Sequence, residues 1–330
     1  MKNSCYEDYR DLEEKLGVNE LHLNKMSIYR LKFNTITYNL YNMGCTIPEC
    51  ENLIVKEIGN VYKSYGADNM TFADVEISLD ATNYLYCNCT NHDIYLGRSV
   101  NNGHTLNRID LYGRIRGIYD YAYYKSLKLS KIIFPAGLKE IGNNAFHFCS
   151  RLTDINLEIC KELEYIGESA FMGCYIKMLD LSETNLKSIG KGAFSANQPL
   201  QKVFLPETLT YLGEGCFSNC RNLKYINIPG SVSEIKSELL TAGYNVRIEI
   251  GEGVKTIRRN AFMCADINEI TIPKSVKQFA RECFYGCRVE RMNLPKEIFE
   301  YLKSNGWVST RSELESYIVG YGHKCNVELY

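Results

Sequence analysis

The run Leu129-Ser130-Lys131-Ile132-Ile133-Phe134-Pro135, continuing Ala136-Gly137-Leu138-Lys139-Glu140-Ile141-Gly142-Asn143-Asn144-Ala145-Phe146-His147-Phe148-Cys149, holds one structural period of the chain. It opens with apolar residues in the order apolar-x-x-apolar-x-apolar: Leu129, Ile132 and Phe134. The i, i+2 pair Ile132 and Phe134 reads as the inner face of a half-buried strand, with Ile133 between them pointing away. Pro135 is a turn residue, and Gly142 frees the backbone where the chain turns again. Ala145-Phe146 then fits one helical turn that drops its ring inward.

These letters recur in both directions. Leu106/Ile109/Leu111 precedes the run, and Leu152/Ile155/Leu157, Ile176/Leu179/Leu181 and Leu200/Val203/Leu205 follow it. Leu223/Ile226/Ile228, Ile248/Ile250, Ile267/Ile270/Ile272 and Val289/Met292/Leu294 complete nine copies, at steps of 22 to 24 residues. Ile-Gly-x-x-Ala-Phe returns at Ile166–Phe171 and Ile189–Phe194, as Leu-Gly-x-x-Cys-Phe at Leu212–Phe217, and more loosely at Ile118, Ile257, Phe279 and Ile235. A period this constrained is the signature of a repeat architecture. One unit cannot cover its own apolar side chains. Burying each large one stabilises by roughly 1.5–3 kcal/mol, and only after the next copy is stacked on it. Parallel strands about 4.8 Å apart over one continuous core follow.

Seven of the fourteen cysteines fall into this pattern. Cys149, Cys174, Cys220 and Cys287 lie three residues after a phenylalanine, Cys264 lies two after Phe262, and Cys216 and Cys283 stand just before one. Asn197 takes the same place after Phe194. Such cysteines read as small apolar residues in repeated buried slots, reduced rather than paired. They lack the close CxxC-type pairs a zinc site needs.

These residues resemble the BspA-type leucine-rich repeats. That family's pattern, roughly Leu-x-x-Ile-x-Leu-Pro-x-x-Val-x-x-Ile-Gly-x-x-Ala-Phe-x-x-Cys, is matched from about Leu106 to Leu294. The resemblance implies a mainly β solenoid, a right-handed curved stack. Parallel strands would line its concave face, with short helical turns and irregular segments on the convex side and helical caps at the ends. It also implies a role in binding proteins or cell surfaces. Two departures stand out: the first hundred or so residues fit poorly, and the polar, acidic start Met1–Asp8 is not a secretory signal.

Four segments are expected. Residues 1–27 form an N-terminal capping helix, opened by the capping box Ser4-Cys5-Tyr6-Glu7, and a first strand. Residues 28–105 are degenerate repeats, with a β-hairpin inserted at about 83–97, turning at Thr90–Asp93. Residues 106–295 carry the regular repeats. Residues 296–330 make a C-terminal helical cap with helices over Lys296–Asn305 and Thr310–Val319, and Lys324–Tyr330 as a last strand.

Composition bounds the function. Hydrophobic residues at 45% and charged ones at 23% describe an ordered core. A net charge of −1 disfavours nucleic acid as a partner. No apolar run is long enough for a membrane span. The five histidines are scattered, and Gly251-Glu252-Gly253 occupies a repeat turn. No nucleophile–base pair, cofactor motif or metal set emerges, so the expectation is a non-enzyme without cofactor or metal. Without a secretory signal the expected location is cytoplasmic, with cell surface or secretion as the alternative. The expected oligomeric state is monomer or weak homo-oligomer.

The outward strand positions define where a partner would sit. A solvated face has no need of Ile133, Met178, Phe204 or Tyr225, and interface cores favour aromatics, Met and Arg. These four are the expected centre of a protein-binding stripe, with Arg108, Lys131, Lys202, Arg247 and Arg291 around them and the arginines and Lys131 steering. Asp110, Asn156, Asn227 and Glu249 are expected to face outward beside them. The partner is another protein of unknown identity, met by an adaptor or inhibitor. The alternative is an adhesin-like module binding a host protein or glycan. An inserted hairpin is the other place where binding would reside.

Overall fold

The computed structural model describes residues 106–320 and 325–330 in full and the backbone of Val75–Leu79 and Tyr84–Leu96. The expected capping helix near Ser4 and the strand triplets before Val75 lie outside the described residues. Two compact units are distinguished, one ending at Asn156 and the other beginning at Leu157.

In the first unit Arg108–Ile118 is the central strand. It pairs in parallel with Tyr84–Leu96 on one side. On the other it pairs with Lys131–Ile133 through its first residues and with Glu140–Ile141 through its last. Arg108 lies opposite Lys131, and Gly117 opposite Glu140. Each partner is one repeat period away, so the ladder runs from coil to coil rather than within a coil. The hairpin expected within 83–97 is not formed. Tyr84–Leu96 is a single strand whose antiparallel partner is Val75–Leu79. Thr90–Asp93 is absorbed by a register shift between Cys89 and Ile94 instead of reversing the chain.

The second unit is built from parallel ladders of the same kind. Its main sheet has seven strands: Met178–Asp180, Lys202–Phe204, Tyr225–Ile228, Val246–Ile250, Asp266–Thr271, Arg288–Leu294 and Cys325–Leu329. Ladders of two-residue strands run alongside: Tyr165–Ile166, Ser188–Ile189 and Tyr211–Leu212, then Glu234–Ile235, Thr256–Ile257 and Gln278–Phe279. Both units are parallel-strand solenoids. Two short helices follow the last regular coil, α1 (Lys296–Ser304) and α2 (Arg311–Val319). Thr310 caps α2 by accepting the Glu313 N–H, and the Glu313 carboxylate reaches back to the Ser309 N–H.

The expected stacking of phenylalanines is present within each unit. Phe171, Phe194 and Phe217 lie face to face at centroid spacings of 5.3 and 5.7 Å, with ring planes 5° and 9° apart. Phe262 and Phe284 stack at 4.7 Å, and in the first unit Tyr123 stacks on Phe146 at 5.3 Å. The flanking strand residues, among them Leu179, Val203 and Ile226, are buried against them.

The segment around Ala-Phe differs from the expected helical turn. Alternate N–H groups bond to the next coil: Gly192 to Glu214, Phe194 to Cys216 and Ala196 to Ser218. Those between them close local turns, Ala193 to Gly190 and Ser195 to Gly192. That alternation turns successive amides in opposite directions and brings two residues per coil to positive φ. They are Asn144 and Phe148 in one coil, Gly192 and Ala196 in another, and Glu238 and Ala242 in a third. A helix would have spent all its bonds within one coil and left the neighbouring backbone unpaired.

The slot three residues after the phenylalanine asks for more than small size. Cys149 donates its S–H to the Tyr123 carbonyl at 3.2 Å, Cys220 to that of Phe194 at 3.3 Å and Cys287 to that of Phe262 at 2.5 Å. Asn197 serves the same coil-to-coil purpose, donating to Phe171 and Phe194 carbonyls at 2.8 and 3.0 Å and accepting from Ile176 at 3.2 Å. A fully buried asparagine is tolerated there because all its polar atoms are used. Cys264 departs from the expectation of burial: it is exposed and takes one of the positive-φ places.

Candidate functional site

The period-2 alternation of the main sheet leaves one row of side chains facing solvent on each strand. Strand register places Met178 beside Lys202, Lys202 beside Tyr225, and Tyr225 beside Arg247. In the adjoining row Asp180 is beside Phe204, and Asn227 beside Glu249. Five expected site residues of the second unit, Met178, Lys202, Phe204, Tyr225 and Arg247, therefore share four consecutive strands.

Met178 is 58% exposed, while Phe204 and Tyr225 are half-buried against each other, their centroids 5.2 Å apart at 42°. Glu249 organises the polar side. It accepts the Tyr225 hydroxyl at 2.7 Å on one oxygen and the Arg247 guanidinium at 2.7 Å on the other. Burial, and then the bond to the Glu249 carboxylate, push the Tyr225 phenol up to about 12. The ring is thus neutral and fixed at physiological pH.

The steering cations are less available than their row suggests. Arg291 lies between Glu269 at 3.6 Å and Glu328 at 3.7 Å. In the first unit Arg108 forms a two-pronged contact with Asp110, at 2.8 and 2.6 Å, and Lys131 meets Asp154 at 2.6 Å. Ile133 is half-buried on the same strand as Lys131. The exposed pairs of Lys131 and Arg291 add little stability, about 0–1 kcal/mol, and Arg108 meets a buried carboxylate instead, but each pair neutralises a charge that would otherwise attract a partner. Among the described residues Lys202 has no carboxylate within ion-pair distance.

One outward expectation needs correction and two need refinement. Asp110 is only 1% exposed, drawn down by Arg108 and satisfied there. Asn156 and Asn227 spend their amides on backbone: Asn156 on both N–H and C=O of Phe134, Asn227 on those of Leu205. An amide side chain reproduces the two-sided pairing of a strand residue, so these asparagines extend the ladder where the backbone itself diverges. The pairing partners were visible in the sequence: Lys131 and Asp154 occupy equivalent places one period apart, and Arg247 and Glu249 stand two apart on one face.

No three His, Cys, Asp or Glu side chains of the described residues come together as a metal cluster, and none of the described helices is long and apolar enough to cross a membrane.

Comparison with solved structures finds repeat proteins at low identity. A leucine-rich repeat protein of T. pallidum is 20% identical, covering 60% of this chain and 86% of its own, with a TM-score of 0.44. One from Eubacterium ventriosum is 14% identical, with 67% and 70% covered and a TM-score of 0.42. A leucine rich cell surface protein of Faecalibacterium prausnitzii is 17% identical, with 77% and 98% covered and a TM-score of 0.36. Among curated proteins there is no match. The sequence model of the BspA type leucine rich repeat region, by contrast, matches in six copies over 78–199, 116–247 and 187–305, more than half of the chain. Its span takes in the stacked aromatics, the Ile-Gly turns and the donor slot, and by that match the chain belongs to the BspA-type leucine-rich repeat family.

Proposed function

We propose that this protein is a non-catalytic scaffold that binds another protein through the outer row of its main sheet and acts by occupying that partner's surface, as an adaptor or inhibitor. The supporting observation is the contiguous group of Met178, Phe204 and Tyr225 held on consecutive strands beside Lys202. Side chains fixed by a ladder lose little conformational entropy on docking, and a few aromatic anchors commonly dominate affinity. The acid–base pairing across the row makes specificity depend on shape and hydrogen bonding more than on long-range attraction.

Immobilised full-length protein and a Phe204→Ala/Tyr225→Ala double variant, offered the same extracts of the source organism and its hosts, provide the test. The expected result is a partner retained by the first and weakened by about 2 kcal/mol or more, roughly 30-fold, in the second, with both proteins melting alike. Identical retention by both would remove this face from consideration.

An adhesin-like form of the same binding role differs in redox setting. In the described residues the cysteines are free, and all but Cys264 are buried. Burial pushes the Cys160, Cys220, Cys287 and Cys325 thiols up to about 12. At pH 8 they are protonated and shielded, so of the described cysteines only Cys264 is expected to react with a thiol reagent before unfolding. All of the described cysteines are expected to react after it. Disulfides among them in material from the source organism would favour the adhesin-like reading.

A further inference from the structure

The one tryptophan of the chain lies outside the repeats, in the turn between α1 and α2, and is 52% exposed. It is nevertheless held in place. Its backbone N–H bonds to the Leu302 carbonyl at 3.0 Å. Tyr301 of α1 stands nearly perpendicular to the indole, with centroids 5.8 Å apart at 84°, and Tyr317 of α2 lies nearly parallel to it, 6.4 Å away at 10°. Tyr317 is anchored in turn by its hydroxyl, which donates to the Phe279 carbonyl at 3.4 Å. Trp307 and Tyr317 line an open cleft of about 750 Å³ together with Arg281, Ser312, Glu313 and Ser316.

The lining specifies a ligand class. One guanidinium and one carboxylate leave no net charge to select an anion or a cation. Arg281 is well exposed and only loosely paired with Glu282, at 3.6 Å, so its donors are available. Glu313 uses one oxygen on the Ser309 N–H at 2.6 Å, and its other oxygen has no hydrogen-bond partner among the described residues. Two serine hydroxyls both donate and accept. The cleft therefore offers a rigid aromatic face beside a mixed set of donors and acceptors. A proline-rich peptide would use the rings and leave the guanidinium and carboxylate without a role; an acidic peptide would meet Glu313. A neutral pyranose has the matching chemistry, one face of C–H groups and an edge of hydroxyls.

We propose that this cleft binds a neutral oligosaccharide, with one hexopyranose ring stacked on Trp307, Arg281 donating to ring hydroxyls and Glu313 accepting from them. The site is separate from the sheet row proposed above, and the two fail independently.

Because Trp307 is the only indole, its emission reports this cleft alone. Full-length protein is titrated with cellotetraose, laminaritetraose, mannotetraose and chitotetraose, and with an acidic and a proline-rich peptide. The expected result is a saturable emission shift with at least one tetrasaccharide and none with either peptide. The midpoint should weaken by about tenfold or more in Arg281→Ala, whose side chain is exposed and whose loss leaves the melt unchanged, and stay the same in Phe204→Ala/Tyr225→Ala. Emission unmoved by all four sugars, a shift with a peptide alone, or an unchanged midpoint in Arg281→Ala would each overturn the proposal.

Discussion

Gly213→Ala is expected to unfold the coils on both sides of the substitution, at a cost of about 4 kcal/mol or more, whereas Gly215→Ala two residues on costs about 1–2 kcal/mol. The difference comes from what surrounds each glycine. A methyl at Gly213 would fall on the backbone of the preceding coil, 2.5 Å from the Gly190 carbonyl oxygen and closer still to the Lys191 nitrogen. Backbone cannot rotate aside as a side chain can, so the coils must separate. Separation there strains the bond from Gly213 N–H to the Ile189 carbonyl at 2.9 Å and the neighbouring one from Tyr211 to Lys187 at 3.1 Å. It also loosens the close-packed phenylalanines beneath. Gly215 has only the Ser218 Cβ at 3.8 Å, and its penalty is the left-handed backbone, at φ 62°. Denaturant unfolding followed by far-ultraviolet circular dichroism measures both. Equal losses at the two sites would mean that glycine serves only backbone freedom here, and that the close approach of coils is wrong.

Phe194→Ala is the second large loss, expected at about 3–5 kcal/mol. Its ring is fully buried between Phe171 and Phe217, so truncation removes two stacked contacts at once and opens a cavity that rigid coils cannot close. The pairwise prediction is sharper. Phe194→Ala combined with Phe217→Ala should cost less or more than the sum by about 0.5 kcal/mol or beyond, because the two rings share one cavity. Combined with Phe284→Ala, several coils away, the losses should add within about 0.5 kcal/mol. Additivity in both pairs would contradict a shared column of rings.

Most strand positions and the buried column were legible because burial imposes its own alphabet: the i, i+2 apolar pair and the recurring Phe carry the period in most regular coils. Tyr123 and Leu240 take the Phe place in two of them, and a 3-10 turn forms at Leu157–Ile159 where the pair Ile155/Leu157 was expected to form a strand. What escaped depends on contacts between coils. The Ala-Phe turn pairs with the next coil instead of closing a helix, and no local propensity announces that. Its trace is the Gly and Asn at Gly192, Gly215, Asn144 and Asn219, all at positive φ. Asp110, Asn156 and Asn227 stand at outward places by alternation, yet Arg108 and the diverging backbone of Phe134 and Leu205 claim them. In the candidate row, the apolar members were readable from Met178, Phe204 and Tyr225. Arg247 and Glu249 stand two apart on one strand and could be paired from the letters, whereas the pairing of Arg291 with Glu269, which likewise mutes the expected steering, required the strands to be in register. The Trp307 cleft had no repeat to mark it; only α1 and α2 folding beside Arg281 assemble its lining.

Deleting Leu200–Asn222, one period of 23 residues, should leave Leu223 in the place of Leu200 and the coils still stacked. Deleting only Leu200–Tyr211, 12 residues, should set the strand of one coil against the turn of the next. Thermal unfolding of both variants beside the intact chain is the direct measurement. The full-period deletion is expected to keep a single cooperative transition and the same ellipticity per residue, the half-period deletion to lose both. Equal tolerance of the two deletions, or equal collapse, would contradict a fold in which each coil seals the one before it.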